Sequence, residues 1–186
     1  MTVSQPAGEP VLLRRLVPGD WPALRELRLA ALAEAPYAFA STLERELAFD
    51  EQQWRALIRQ AANVGAWAPE LAGLAAGFPE ADRPGAAPGW HLVSMWVSPR
   101  LRGQGVAADL VTAVCELARA DGAGQIALWV TEVNDRARAF YRRAGFRETG
   151  ERALVRPEQP GHWERRMVRD LRRPAPGAAG GWRAGG

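Results

Sequence analysis

The sequence predicts a mixed α/β fold built as one domain. Three observations carry that expectation. Short apolar segments rich in β-branched and aromatic residues alternate along the chain with longer segments of helical period. The strongest strand, Trp90 to Val97 (WHLVSMWV), runs through a glycine-containing turn into a helical stripe, Val106 to Ala120. The 186 residues, 47% hydrophobic and 24% charged, suffice to close one sizeable core. This order of elements calls for both parallel and antiparallel neighbours in the sheet.

Val11 to Val17 reads as a first strand, and Pro18-Gly19 turns the chain. Asp20 is placed to cap the next helix, where Trp21, Leu24, Leu27 and Ala31 recur at steps of three and four until Ala35-Pro36 stops it. Asp50 with Gln53 forms a capping-box pattern ahead of Trp54, Leu57, Ile58 and Ala61 on one helix face. Val64 to Ala68 and Leu71 to Phe78 read as strands around Pro69-Glu70, the second weakened by Gly73 and Gly77. Ala81 to Gly89 reads as a loop, and Ser98-Pro99 ends the strand that follows. Past the Val106 helix, Asp121 to Gly124 break the chain before a short strand, Ile126 to Val130. Asn134 to Ala144 is a short helix closed by Gly145. Phe146 to Val155 and Trp163 to Leu171 are two closing strands around Pro157 to Gly161. Residues 1–10 and 172–186 read as loose ends, leaving 11–171 as the domain.

Composition excludes several classes. No apolar run reaches the roughly 20 residues of a membrane-spanning helix. Met1 to Pro10 has neither the basic start nor the apolar stretch of a signal peptide, so a cytoplasmic protein is expected. One cysteine, Cys115, excludes an internal disulfide, and with only two histidines a Cys/His zinc cluster is not expected. All 24 basic residues are arginine against 21 acidic ones, and the net charge of +3 does not itself indicate nucleic-acid binding.

The chemistry concentrates between Trp90 and Phe146. A buried strand, a turn containing Gly103 and Gly105, and a helix start make an anion site. The first-turn amides of a helix lack internal partners, and the helix dipole adds partial positive charge. Without a Cβ, the glycines allow a phosphate close approach, and Arg100 and Arg102 add fixed charge. The pattern lacks the Gly-Lys-Ser/Thr ending of a P-loop and the third glycine of the dinucleotide fingerprint. A different ligand carrying a pyrophosphate fits better.

Arg100-Leu101-Arg102-Gly103-Gln104-Gly105 resembles the Q/R-x-x-G-x-G/A motif of the GCN5-related N-acetyltransferase (GNAT) superfamily. Asn134 to Phe146 (NDRARAFYRRAGF) resembles that family's N-x-x-A-x-x-F/L-Y-x-x-x-G-F stretch, with the expected strand between the two. The resemblance covers Trp90 to about Gly150 closely and the rest in element order. It implies a curved mixed sheet of six to seven strands flanked by about four helices. It further implies an acyltransferase that moves acetyl groups from acetyl-CoA to a primary amine of a small molecule or peptide. Attack is expected to be direct, in a ternary complex. Charge and the lack of a long apolar run point to neither nucleic acid nor membrane as a partner, and a homodimer is left open.

Such a reaction needs a neutral amine, although an alkylammonium has a pKa of about 10. It also needs a donor for the carbonyl oxygen and a proton for the departing thiolate. The resemblance implies that Met95, Trp96 and Val97 offer backbone groups to the pantetheine arm, where two strands splay. It places Arg102, Gly103, Gln104, Gly105, Val106 and Ala107 on the pyrophosphate, and Asn134 on the cofactor arm unless it caps its helix. Tyr141 stands where the family carries the thiolate's proton donor. His91 occupies a position where some members place a glutamate base, and it can take a proton directly or through water. Glu132 competes for that role. Glu44 and Glu46 are candidates for a cationic substrate, against ordinary surface positions. Tyr37-Ala38-Phe39 is expected in the acceptor pocket. Cys115, mid-helix beside Val111 and Val114, is expected to pack in the core rather than carry an acyl group. Two other readings compete: a catalytically silent acyl-CoA sensor of the same fold, and a nucleic-acid binder using Arg136, Arg138, Arg142 and Arg143.

Overall fold

A computed structural model describes residues 10–80, 88–156 and 161–172. The expected loose ends lie outside the described residues save Pro10 and Arg172, as do most of the loops at 81–89 and 157–161. The strands are β1 (Leu12–Arg15), β2 (Ala62–Trp67), β3 (Leu71–Pro79), β4 (Gly89–Val97), β5 (Gln125–Thr131), β6 (Arg147–Leu154) and β7 (Trp163–Asp170). They form one sheet in the order β1-β2-β3-β4-β5-β7-β6. Among the described residues only β4 and β5 pair in parallel. The helices are α1 (Trp21–Glu34), α2 (Leu43–Leu47), α3 (Glu51–Gln60), α4 (Val106–Ala120) and α5 (Asp135–Arg143). Among the described residues, seven strands and four helices of nine residues or more agree with the expected architecture.

Burial follows helical period. In α4, Val106, Leu110, Val111, Val114 and Cys115 are buried against β2, β3 and β4 and form the largest core cluster. On the other sheet face Leu24 and Leu27 of α1 and Trp54 and Ile58 of α3 enclose a second cluster with Leu16 and Leu74. Gly73 and Gly77 do not weaken β3, because α4 presses close there. A Cβ on Gly77 would stand 2.6 Å from Val114 Cγ1 and 2.9 Å from the Trp90 ring. The two glycines are therefore packing residues.

Of the two capping signals, one forms as expected and one does not. The capping box holds, with Gln53 N–H donating to Asp50 and Asp50 N–H donating to Gln53, both at 2.8 Å. Asp20, by contrast, makes no side-chain cap on α1. Its carboxylate instead accepts from Arg14 at 2.7 and 2.9 Å and from the Val17 amide at 2.8 Å. A bidentate guanidinium, which carries a full positive charge, holds the carboxylate more strongly than the amides of α1 would. The one-turn helix α2, capped by Thr42 accepting from the Arg45 amide, is too short to show a period in sequence.

Candidate functional site

Strand β4 organises the site. Leu74 faces Trp96 and Ala76 faces Val93, so Ser94 and Met95 together oppose Ala75 in a bulge. Ser94 has φ 55°, the left-handed region, where a non-glycine residue is strained. On its other side β4 pairs with β5 only from Gly89 to His91, against Gln125 to Ala127. Beyond His91 the strands part, and the β5 side of β4 carries no ladder partner through Met95, Trp96 and Val97. The expected splay is there, and main-chain groups face a gap.

After Val97 a 3-10 turn (Pro99–Leu101) anchors itself by burying Leu101. Gly103 and Gly105 then take φ +81° and +86°, and α4 begins. An added Cβ at either glycine would meet nothing within 4 Å. Backbone conformation, not crowding, demands glycine, and the space above the turn is open. No side chain caps α4, whereas Asp50 caps α3 and Asn134 caps α5. The first-turn amides of α4 therefore point at open space with the dipole behind them.

A cavity of about 480 Å³ opens in front of this turn. Its walls are Met95, Trp96 and Val97 of β4, Leu101, Arg102, Gly103, Gly105, Ala107 and Ala108 of the turn and α4, and Asn134, Arg136, Ala137, Phe140, Tyr141 and Arg143 of α5 and its cap. Glu34 and Ala35 at the end of α1, with Tyr37, Ala38 and Phe39 beyond it, close the remaining side. The fold thus brings most of the sequence-derived candidates to one cavity. Val106 is buried beneath it, while Gln104 is exposed and donates to the Arg100 carbonyl at 2.9 Å.

Three expectations change. Arg102 does not offer a free charge to a phosphate. Its Nη atoms donate to both oxygens of Glu34 at 2.8 and 2.6 Å, its Nε to the Val97 carbonyl at 2.9 Å, and Trp96 Nε1 donates to the same carboxylate at 2.8 Å. Hydrogen bonding from Arg102 holds Glu34 below the ordinary carboxylate range. Arg102 is thus a clamp between α1 and the glycine turn. His91 does not join the cavity wall; its ring stacks on Phe78 with centroids 5.6 Å apart. Glu46 is not a surface acid but is 3% exposed, bound by Arg28 Nε and Nη2. That pair lines a second cavity of about 340 Å³ between α1, α3 and the sheet, where none of the glycine-turn residues converges.

Tyr141 is buried with its ring against Phe140 and Phe146, centroids 5.1 and 5.6 Å away. Burial pushes its phenol upward, so it stays protonated at neutral pH. Asn134 Oδ1 accepts from the Ala137 amide at 3.0 Å, which makes it a cap and leaves its amide nitrogen for a ligand. Glu132 is held below the ordinary range, first by hydrogen bonding from Arg152, and it also pairs with Arg165 at 2.8 Å, a poor situation for a base. Cys115 is fully buried and burial pushes its thiol up, as its expected packing role requires. Sequence reading missed Glu34. Its partner lies 68 residues away, and no local pattern announces it.

Glu34→Gln removes the charge that holds Arg102 and should raise the KM for the cavity's ligand several-fold, on the order of 1 kcal/mol for an exposed pair. Steady-state kinetics over a ligand titration checks this; an unmoved KM would mean the clamp does not shape the turn.

A family model described as the acetyltransferase (GNAT) family matches residues 21–146. N-acetyltransferase 8F1 of Rattus norvegicus is 33% identical over 86 residues, 46% of this chain and 39% of that protein, so the match spans about two fifths of the relative's length. Among solved structures, Salmonella typhimurium yncA with its cofactor acetyl-CoA superposes with a TM-score of 0.71 at 16% identity, covering 91% of this chain and 99% of that one. A GCN5-related N-acetyltransferase from Kribbella flavida superposes with a TM-score of 0.69 at 23% identity, covering 88% and 99%.

Proposed function

Because the chain belongs to the acetyltransferase (GNAT) family, whose members use acetyl-CoA, we propose that it carries an acetyl group to the primary amine of a small molecule or peptide. The observation that supports this reading best is the meeting of two features in one cavity: the uncapped, glycine-fronted start of α4 and the protonated phenol of Tyr141. The domain proposed to act is 11–171.

The pieces fit the cosubstrate. The amides of Gly105, Val106 and Ala107 and the open surface over Gly103 offer donors to a diphosphate. Gln104 borders that turn from outside the cavity wall. Main-chain groups of Met95 to Val97, left over where β4 and β5 part, and the Asn134 amide nitrogen suit an amide-rich arm. Acetyl-CoA supplies an activated acyl thioester. Tyr141 holds a proton at its phenolic oxygen for the departing sulfur, and its apolar surroundings keep that proton in place. Tyr37, Ala38 and Phe39 form the wall on the acceptor side. The ring of His91, outside the wall, would serve the amine's proton only through intervening water.

A panel of amines and peptides incubated with acetyl-CoA tests the reading. Free thiol should appear above the hydrolysis blank with at least one acceptor class. Tight acetyl-CoA binding without thiol release for any amine would make the chain an acyl-CoA sensor instead.

A further inference from the structure

The second cavity, about 340 Å³ between α1, α3 and the sheet, shares no lining residue with the first. Its walls are mostly apolar: Leu24, Leu57, Leu74, Ala76, Phe78 and Val93. Such a volume and such walls suit a small organic molecule. The polar groups among them are only partly used. Glu46 accepts from Nε and Nη2 of Arg28, and this leaves Nη1, with its two N–H donors, without a hydrogen-bond partner among the described residues. The Phe39 ring lies under that guanidinium, 4.9 Å from its central carbon, and helps to fix it. Asn63 is 6% exposed and donates its amide nitrogen to the carbonyls of Leu57, Ile58 and Ala61 at 3.2, 3.2 and 3.0 Å. Its Oδ1 accepts from no described group. The cavity wall therefore holds a charged donor and a buried acceptor that the fold itself does not satisfy, and such groups call for an occupant that supplies both partners.

Charge narrows the choice of occupant. Arg28 and Glu46 cancel, so the lining is neutral overall. A ligand with net charge would bring an uncompensated ion into a mostly apolar space, which is costly. A zwitterion with an apolar body brings none. Its carboxylate can accept from a guanidinium edge, its ammonium can donate to an amide oxygen, and its side chain can cover the apolar wall. We propose that the second cavity is a binding site for a small apolar α-amino acid, with the carboxylate on Arg28 Nη1 and the ammonium on Asn63 Oδ1. The site is separate from the acetyl-CoA cavity. At the β4 bulge, Ser94 lines the second cavity while the next residue, Met95, lines the first. The proposal goes beyond the acetyltransferase reading and does not depend on it.

Calorimetry with L-leucine and L-phenylalanine tests the assignment. At least one should bind with a Kd of about 1 mM or tighter, the range open to a ligand of this size. Phenylalaninamide lacks the carboxylate and 3-phenylpropionate lacks the ammonium. Each should bind at least about tenfold more weakly than L-phenylalanine, the lower range for charge-assisted hydrogen bonds. Ala76→Leu fills the cavity from β3 without touching the Arg28–Glu46 pair and should abolish binding. Leu57→Trp, at a partly buried position of α3, should do the same from another wall, and circular dichroism verifies the fold of each variant. No binding of either amino acid at about 10 mM, ten times that Kd, overturns the proposal. So do equal affinities for the three phenylalanine compounds, or binding that survives in a folded variant of either kind. Binding lost on saturation with acetyl-CoA, or thiol release with L-phenylalanine as acceptor, also overturns it, because the amino acid would then sit in the first cavity as a substrate. Failure of the chain to bind acetyl-CoA would overturn the acetyltransferase reading alone.

Discussion

Gly103→Asp is expected to abolish acetyl-CoA binding while the protein stays folded. The substitution acts through two effects whose sizes differ. The φ of +81° is costly for any residue with a Cβ, by about 1 to 2 kcal/mol at most. Nothing in the protein lies within 4 Å of the new Cβ, so no clash adds to that strain. The larger effect falls on the ligand. A carboxylate would enter the open space where the first-turn amides of α4 point, opposing any diphosphate there. Losing those amide contacts and adding like charge should weaken binding by more than about 100-fold. Calorimetry with acetyl-CoA, beside a thermal melt, separates the two effects. A melt shifted by a few degrees with unchanged affinity would remove the turn from the ligand site.

Tyr141→Phe is the second large effect, and it should appear in kcat. Removing a positioned proton donor costs about 10²- to 10⁴-fold. The ring and its contacts with Phe140 and Phe146 remain, so acetyl-CoA affinity should change little. The sign of the phenol's shift makes a second test. Burial raises its pKa above the ordinary value of 10.0, because the charged form is the one that loses water. A raised pKa keeps the acid form present throughout the physiological range. The wild-type kcat profile should therefore show no alkaline fall from this group below about pH 10. An unaltered rate in Tyr141→Phe would transfer the acid role elsewhere without touching the fold.

Some of the site was legible because it depends on local chain chemistry. Gly103 and Gly105 announce a turn that residues with a Cβ resist, and the structure has both at positive φ. The start and end of α4 match the hydrophobic stripe and the break at Asp121 to Gly124. Tyr141 was singled out by the resemblance of the stretch from Asn134 to Phe146 to the family motif, not by local chain chemistry. Other residues were illegible for the opposite reason. Arg102 looked like a phosphate ligand because sequence shows its charge and not its partner. Glu46 looked like surface because a buried acid is written the same way as an exposed one. His91 was placed by analogy of position along β4, and its ring settled on Phe78.

From the sequence alone came the identity and order of the strands and major helices, the glycine turn and, by resemblance, the membership of the motif residues. The elements and the turn follow from dihedral preference and from periods of two or about 3.6 residues, which neighbours in the chain enforce, whereas the motif residues follow from the family resemblance. Tertiary structure alone decided which charges are cancelled. It joined Glu34 to Arg102, Arg28 to Glu46 and Arg138 to Glu148, and it left Arg136 and Arg143 beside a cavity. It also opened β4 from β5 beyond His91. Charge compensation and strand separation depend on groups brought together from distant parts of the chain, and no local preference encodes a partner 68 residues away.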